Sequence, residues 1–329
     1  MEKEKVTVTD QFRKLDNSVV LAGRIKEFKP NSIFRKQDKN GIDYISAEGL
    51  IYCDEEGIIT VPFKMYQPKI WRNKGTINEY YAILDEMINT MASNPNAEVY
   101  TYMYGTMIDN PYYSKADKKM CPTAIKANMR SFKKFEDYNA SMIMEGYIKS
   151  IEDETRKGEA TGRKLVRLIS RDSNNNTIDH TFILPEEFVD IFESEHYDEG
   201  VTAKFKIRWV ATTTTKKTDV VGKGGFGENP DDGKTYTNIE QVICGANPID
   251  RKTKGVQLDD DLIKRALAER KLRIQEIEAA GTSGGFGSMS SASTDDDCTV
   301  GKGFMRAVSS EEDGTPWDEA KEKEEDLDY

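Results

Sequence analysis

A nine-residue strand pattern recurs in this chain with four identical positions, which points to two copies of one structural unit or to coincidence between two short glycine-containing strands. Residues 18–26 read Ser-Val-Val-Leu-Ala-Gly-Arg-Ile-Lys, and residues 141–149 read Ser-Met-Ile-Met-Glu-Gly-Tyr-Ile-Lys. At this constant offset Ser18/Ser141, Gly23/Gly146, Ile25/Ile148 and Lys26/Lys149 are identical, and apolar positions between them substitute for one another. Side chains alternate across a strand, so Val19, Leu21, Gly23 and Ile25 share one face, as do Met142, Met144, Gly146 and Ile148. A glycine inside such a pattern marks a bulge or tight bend, which lets a short sheet curl into a barrel.

The similarity extends to the order of elements. After each first strand come a polar turn and a second strand (44–53; 164–171), then a turn (54–57; 172–176) and a third strand. A helical stretch follows (78–91; 185–195), then a fourth strand (98–107; 202–212), a long loop and a last strand (127–135; 237–244). Three strands, a helix and two strands in roughly 110 to 130 residues match the five-stranded OB barrel. Leu258-Asp259-Asp260-Asp261 then opens a helix with an apolar stripe at Leu262, Ala266, Leu267 and Ile274, stopped at Gly281. The predicted fold is mainly β with short helices (α+β). It has OB barrels over 1–136 and 137–250, a helix over 251–280 packing on them, and a flexible Gly/Ser linker with an acidic tail over 281–329.

The tail concentrates the acidity. Residues 311–329 hold ten Asp or Glu against Lys321 and Lys323, too charged to bury enough surface to offset their ordering entropy, so a disordered arm is expected. Of 58 acidic and 47 basic residues, 13 and 4 lie from Asp295 onward, which leaves a nearly neutral body of 45 and 43. A neutral body with basic loops and an acidic arm points to a nucleic-acid binder, or to a tail that only solubilises. The sequence has no stretch of ~20 apolar residues and no signal-peptide core at its start, so an intracellular protein is expected. Cys53, Cys121, Cys244 and Cys298 are far apart, as are His180 and His196, so free buried thiols, with Cys298 exposed in the tail, and no structural zinc are expected.

The fourth strands carry the most chemistry. Tyr100, Tyr102 and Tyr104 fall on one face of the first; Lys204, Lys206 and Arg208 fall on one face of the second, opposite Phe205, Ile207 and Trp209. Stacking rings and backbone cations are the two ingredients of single-strand binding. The tyrosines also fit a half-buried edge with wet hydroxyls, and the cations an ordinary solvent face. OB folds bind oligonucleotides with the loops after strands one and four. In the first copy those regions carry Phe34-Arg35-Lys36 and Lys39, then Tyr112, Tyr113, Lys115, Lys118, Lys119, Lys126 and Arg130. Its third strand leaves through Lys64 and Tyr66 towards Lys69, Trp71 and Arg72. The second copy has Arg156-Lys157 and Arg163-Lys164, then Lys216, Lys217, Lys223, Phe226, Lys234 and Tyr236.

Gly222-Lys223-Gly224-Gly225-Phe226-Gly227 fits G-x-G-x-x-G but opens no helix, and five residues separate Gly227 from Gly233 where a Walker A loop has four. No Ser/His/Asp grouping or helical His pair appears, so no catalytic group and no cofactor are expected.

With these parts in place, the chain resembles single-stranded DNA-binding proteins of the bacteriophage replication type. The sharp match is the tail, Glu324-Glu325-Asp326-Leu327-Asp328-Tyr329, where Tyr329 stands in the place commonly held by Phe, with no Pro before it. The resemblance implies coating of exposed strands during replication, recombination and repair. It also implies recruitment of replication or recombination proteins, such as polymerase, primase-helicase or nuclease, with Trp317, Asp326, Leu327, Asp328 and Tyr329 as the contact set. A monomer or homodimer in the cytoplasm is expected, that of a host cell if the chain is phage-encoded. The rival readings are an assembly adaptor built on OB domains and an enzyme using the near-miss phosphate loop.

Overall fold

The computed structural model describes residues 12–71, 75–156, 158–215 and 235–282, with side chains left out at 213–215 and 235–236. The chain divides into two units, Met1–Gly285 and Phe286–Tyr329, and all described residues belong to the first.

Val, Ile, Met and Phe at every second position drive the strands, because one face of each can then be buried. In the first repeat these are β1 (Asn17–Phe28), β2 (Phe34–Gln37), β3 (Asp43–Tyr52), β4 (Thr60–Pro68), β5 (Tyr100–Asp109), the short β6 (Tyr112–Ser114) and β7 (Lys119–Cys121), and β8 (Ile125–Lys133). In the second they are β9 (Asn139–Arg156), β10 (Glu159–Arg171), β11 (Thr177–Leu184), β12 (Thr202–Thr215) and β13 (Thr235–Ala246). Pairing closes each repeat on itself: β1-β3-β4-β8-β5 returns to β1, and β9-β10-β11-β13-β12 returns to β9. In both rings only the third-to-fifth strand contact is parallel. With a helix between the third and fourth strands, α1 (Glu79–Ser93) or α2 (Glu186–Ser194), this is the OB barrel twice.

Both repeat glycines sit where their strand turns over a neighbour. A Cβ on Gly23 would lie 1.8 Å from the Tyr52 carbonyl oxygen, and one on Gly146 would lie 2.8 Å from that of Ile169. Phe63, Met65, Met103 and Met129 fill the first barrel; Phe182, Phe205, Leu168 and Ile207 fill the second. Asn78 caps α1 by accepting the Tyr80 N–H, and its amide donates to Gln67 and Pro68. α1 plugs one barrel with Leu84 and Ile88, and α2 stacks Phe192 on Phe205.

The barrels share a seam. β1 pairs antiparallel with β9, and Val19 stands opposite Met142, its own counterpart in the repeat. The copies therefore meet about a local two-fold axis, as identical subunits do in an isologous interface.

α3 (Asp260–Thr282) straps this pair. Asp259 caps it, and Ile263 and Ala266 pack with Phe12, Leu15, Tyr147 and Ile169. Buried Arg270 bonds Asp109 of β5 at 2.8 Å and the Thr177 carbonyl of β11 at 3.1 Å, with Arg273 also on Asp109. The helix ends at Thr282, one residue past the expected stop at Gly281. The helix runs through Gly281, which leaves room for the Tyr113 ring: a Cβ there would lie 2.5 Å from it. No helix among the described residues is long and apolar enough to cross a membrane. Cys53 is buried, whereas Cys121 and Cys244 are half-buried rather than fully enclosed; Cys298 lies outside the described residues.

Candidate nucleic-acid interface

The first candidate face is the outside of β2, β3 and β4. Directly opposed residues of antiparallel strands point the same way, and Phe34, Ser46 and Tyr66 form one such row. Phe34 and Tyr66 are 40% and 39% exposed, high for rings and open enough to offer π faces. Tyr44 supports Tyr66 from beneath, ring centroids 4.9 Å apart, and Lys36 holds its ammonium 5.2 Å from the Phe34 ring centre. On the next rung Lys64 opposes Glu48, which Lys126 bonds at 2.9 Å.

Other sequence candidates nearby are engaged elsewhere. Arg35, one position out of phase with Phe34, reaches α1 and bonds Asp85 at 2.7 Å and Asn89 at 2.9 Å. Lys69 pairs with Asp43 at 3.2 Å, and half-buried Trp71 meets Tyr80 edge to face at 6.1 Å. In the loop after β5, Tyr112, Lys115, Lys118 and Lys119 are exposed, whereas Tyr113 packs on α3. Arg130 is half-buried, and burial pushes its guanidinium pKa down.

The second candidate face crosses the seam. Tyr102 and Tyr104 lie side by side on the outside of β5 at 5.0 Å, with the Lys133 ammonium 4.7 Å over Tyr104. Burial, then the hydrogen bond with Tyr104, raises the Tyr102 phenol pKa, so the Tyr102 ring stays neutral. Tyr104, Val20, Ser141 and Arg208 form one cross-strand row running from β5 through β1 and β9 to β12. The local two-fold places Lys206 where Tyr104 sits in the other barrel, and Lys204 where Tyr102 sits. Rings and cations thus occupy equivalent positions. Lys206 and Arg208 are exposed, while Lys204 bonds Asp16 at 2.5 Å.

At the end of this face, beside the expected Tyr100, lie three rings that the sequence did not signal: Phe135, Tyr138 and Tyr52. Tyr100 packs 5.1 Å from Phe135, which meets Tyr138 at 5.3 Å, and Arg24 and Lys26 lie over Tyr52 at 5.4 and 5.1 Å. Phe135 and Tyr138 flank the repeat boundary, where no alternation signals a site; the basic pair Lys133-Lys134 beside them was the available clue.

The second barrel's first loop is a long β9–β10 hairpin in which the described cations Arg156, Arg163 and Lys164 are all paired with carboxylates. Arg163 bonds Glu154 and Glu240, and Arg156 bonds the same two carboxylates. The Arg163 hydrogen bond holds Glu154 far below the usual carboxylate range, at about 2. Lys164 lies 3.2 Å from both Asp153 and Glu193. Arg72, Lys157, Lys216, Lys217, Lys223, Phe226, Lys234 and both glycine-rich near-motifs fall outside the described residues, as do Trp317, Asp326, Leu327, Asp328 and Tyr329. Tyr236 lies on β13, but its side chain is not described.

No family model matches the chain, and none of the curated proteins does. Among solved structures it is similar to the wild-type single-stranded DNA binding protein from Thermus aquaticus, at 10% identity and a TM-score of 0.40, over 76% of this chain and 99% of that one. A deletion mutant of the single-stranded DNA binding protein from the same organism is similar at 10% identity and a TM-score of 0.41, over 73% of this chain and 97% of that one.

Proposed function

We propose that this chain binds single-stranded DNA without sequence preference and coats strands exposed during replication, recombination and repair, in the manner of bacteriophage replication proteins. The observation that carries the reading is the Phe34–Ser46–Tyr66 row with Lys36 over Phe34. Every base has a π face and every nucleotide a phosphate, so rings interleaved with cations bind strands whatever their sequence. The chain acts as a binding protein, not as an enzyme. Its acidic tail recruits replication or recombination proteins, with Trp317, Leu327 and Tyr329 as apolar anchors among the charges. Titration of the full chain with labelled oligo-dT tests the binding, and the Phe34→Ala/Tyr66→Ala double variant should bind at least tenfold more weakly, since each stacked ring is worth ~1–3 kcal/mol. Wild-type protein that fails to bind oligo-dT at low salt would leave the assembly-adaptor reading standing. Capture of replication proteins by the chain with and without Tyr329 tests the tail separately.

A further inference from the structure

The outward residues of β4 continue beyond the aromatic row. Tyr66, Lys64, Pro62 and Thr60 alternate along the strand, and six residues at ~3.4 Å each span about 20 Å. The far end of that line is one wall of a cleft of about 450 Å³ between the barrels. Pro62 and Thr60 face Thr181 of β11, Trp209 of β12 and Ile239 of β13 across it.

The cleft is built rather than incidental. His180 ties its walls together: Nδ1 donates to the Thr123 carbonyl of the first barrel at 3.0 Å, and Nε2 lies 2.6 Å from the Gln241 side-chain amide of the second. Burial lowers the His180 pKa and keeps the ring neutral, so no cation is stranded in the walls. At the rim Glu240 is matched by Arg156 and Arg163, whose guanidiniums reach solvent, so the entrance does not repel a phosphate. Pro62, Ile183, Trp209 and Ile239 give the cleft apolar surface among polar groups such as Thr181 and Gln241, a mixture that suits a small ligand with apolar faces and a polar edge. A nucleobase, with apolar faces and a polar edge, has that chemistry.

We infer that the inter-barrel cleft is a strand subsite, which takes a nucleobase of the single strand that lies on the β2–β3–β4 face as it passes from the first barrel to the second. The inference rests on the single-strand reading of that face. It differs from that reading in needing a strand long enough to leave the first barrel.

The test compares two oligo-dT lengths on the full chain: about 8 nucleotides, within the ~4–16 range of one OB fold, and about 30. Ile239→Glu places a like charge beside the phosphates, and Thr181→Trp fills the cleft; both positions are solvent-exposed, so neither removes core packing. Each substitution should weaken the long strand about tenfold and leave the short strand unchanged. Unaltered affinity for the long strand in both variants would overturn the cleft. A wild-type chain that binds neither length would instead overturn the single-strand reading itself. Should either variant misfold, ultraviolet cross-linking of bromodeoxyuridine-substituted 30-mer to the wild-type chain decides. Adducts on the peptides carrying Trp209 or Gln241 support the subsite, and adducts confined to the first barrel refute it.

Discussion

β2 and β4 place Phe34 and Tyr66 on one sheet face, where directly opposed residues share a side; in the sequence both were legible only as rings interleaved with basic residues in a loop and at a strand exit. Because they are substantially exposed, Tyr66→Ala should cost ~1–3 kcal/mol of oligo-dT affinity while leaving the unfolding midpoint nearly unchanged. Parallel fluorescence titration and urea denaturation check both halves of that statement. Arg35 shows why a basic neighbour is not automatically a ligand contact: one residue along a strand reverses the side chain, and Asp85 is waiting on α1. Arg156 and Arg163 teach the same lesson, since their partner Glu240 lies far away in sequence and only the fold brings it near. Asp172 offers a second residue-scale test. Its buried carboxylate accepts the N–H groups of Asn174, Asn176 and Asp109, yet burial outweighs those bonds and pushes its pKa up to about 6. A carboxyl raised above its usual 3.8 stabilises the fold fully below that value, and loses this contribution as pH climbs through about 6. Asp172→Asn should therefore flatten the fall in unfolding free energy between about pH 4 and 6, measured by urea melts across that window. An identical slope in wild type and variant would contradict the assignment.

The repeated strand, both helices between strands, and α3 were readable because each carries its own period and its own start signal. The β6–β7 hairpin was not, because strands of three residues are shorter than any period that can be counted. Gly281 marked the end of α3 to within one residue, and its missing Cβ also admits the Tyr113 ring. The strap itself rests on Arg270 and Asp109, both almost wholly shielded from water. Removing one partner of such a pair strands the other charge, so Arg270→Ala should destabilise the fold by ~3–5 kcal/mol in denaturant unfolding. Arg270→Met paired with Asp109→Leu should recover only part of that loss, because Arg273 also bonds Asp109 and the Thr177 carbonyl accepts from Arg270. The two glycines of the repeat rank themselves by clearance. Gly23→Ala should be the more damaging, with its Cβ 1.8 Å from a carbonyl oxygen against 2.8 Å at Gly146, and comparison of their urea midpoints checks the order.

On the scale of the molecule, the tandem barrels were visible in the repeat, whereas the seam between them was not, since nothing in one strand's pattern says which other strand it will meet. That seam is what lines up Tyr104 of one barrel with Arg208 of the other in a single row, and turns two separate stripes into one surface. The binding site should therefore draw ionic and stacking contributions from both repeats. Its most direct test is titration of the full chain with oligo-dT of increasing length at several salt concentrations. The affinity should rise as strands grow long enough to reach the second barrel, and its logarithm should fall with log salt at a slope of about 0.7 per neutralised phosphate. No binding at low salt, or an affinity indifferent to both salt and length, would contradict it.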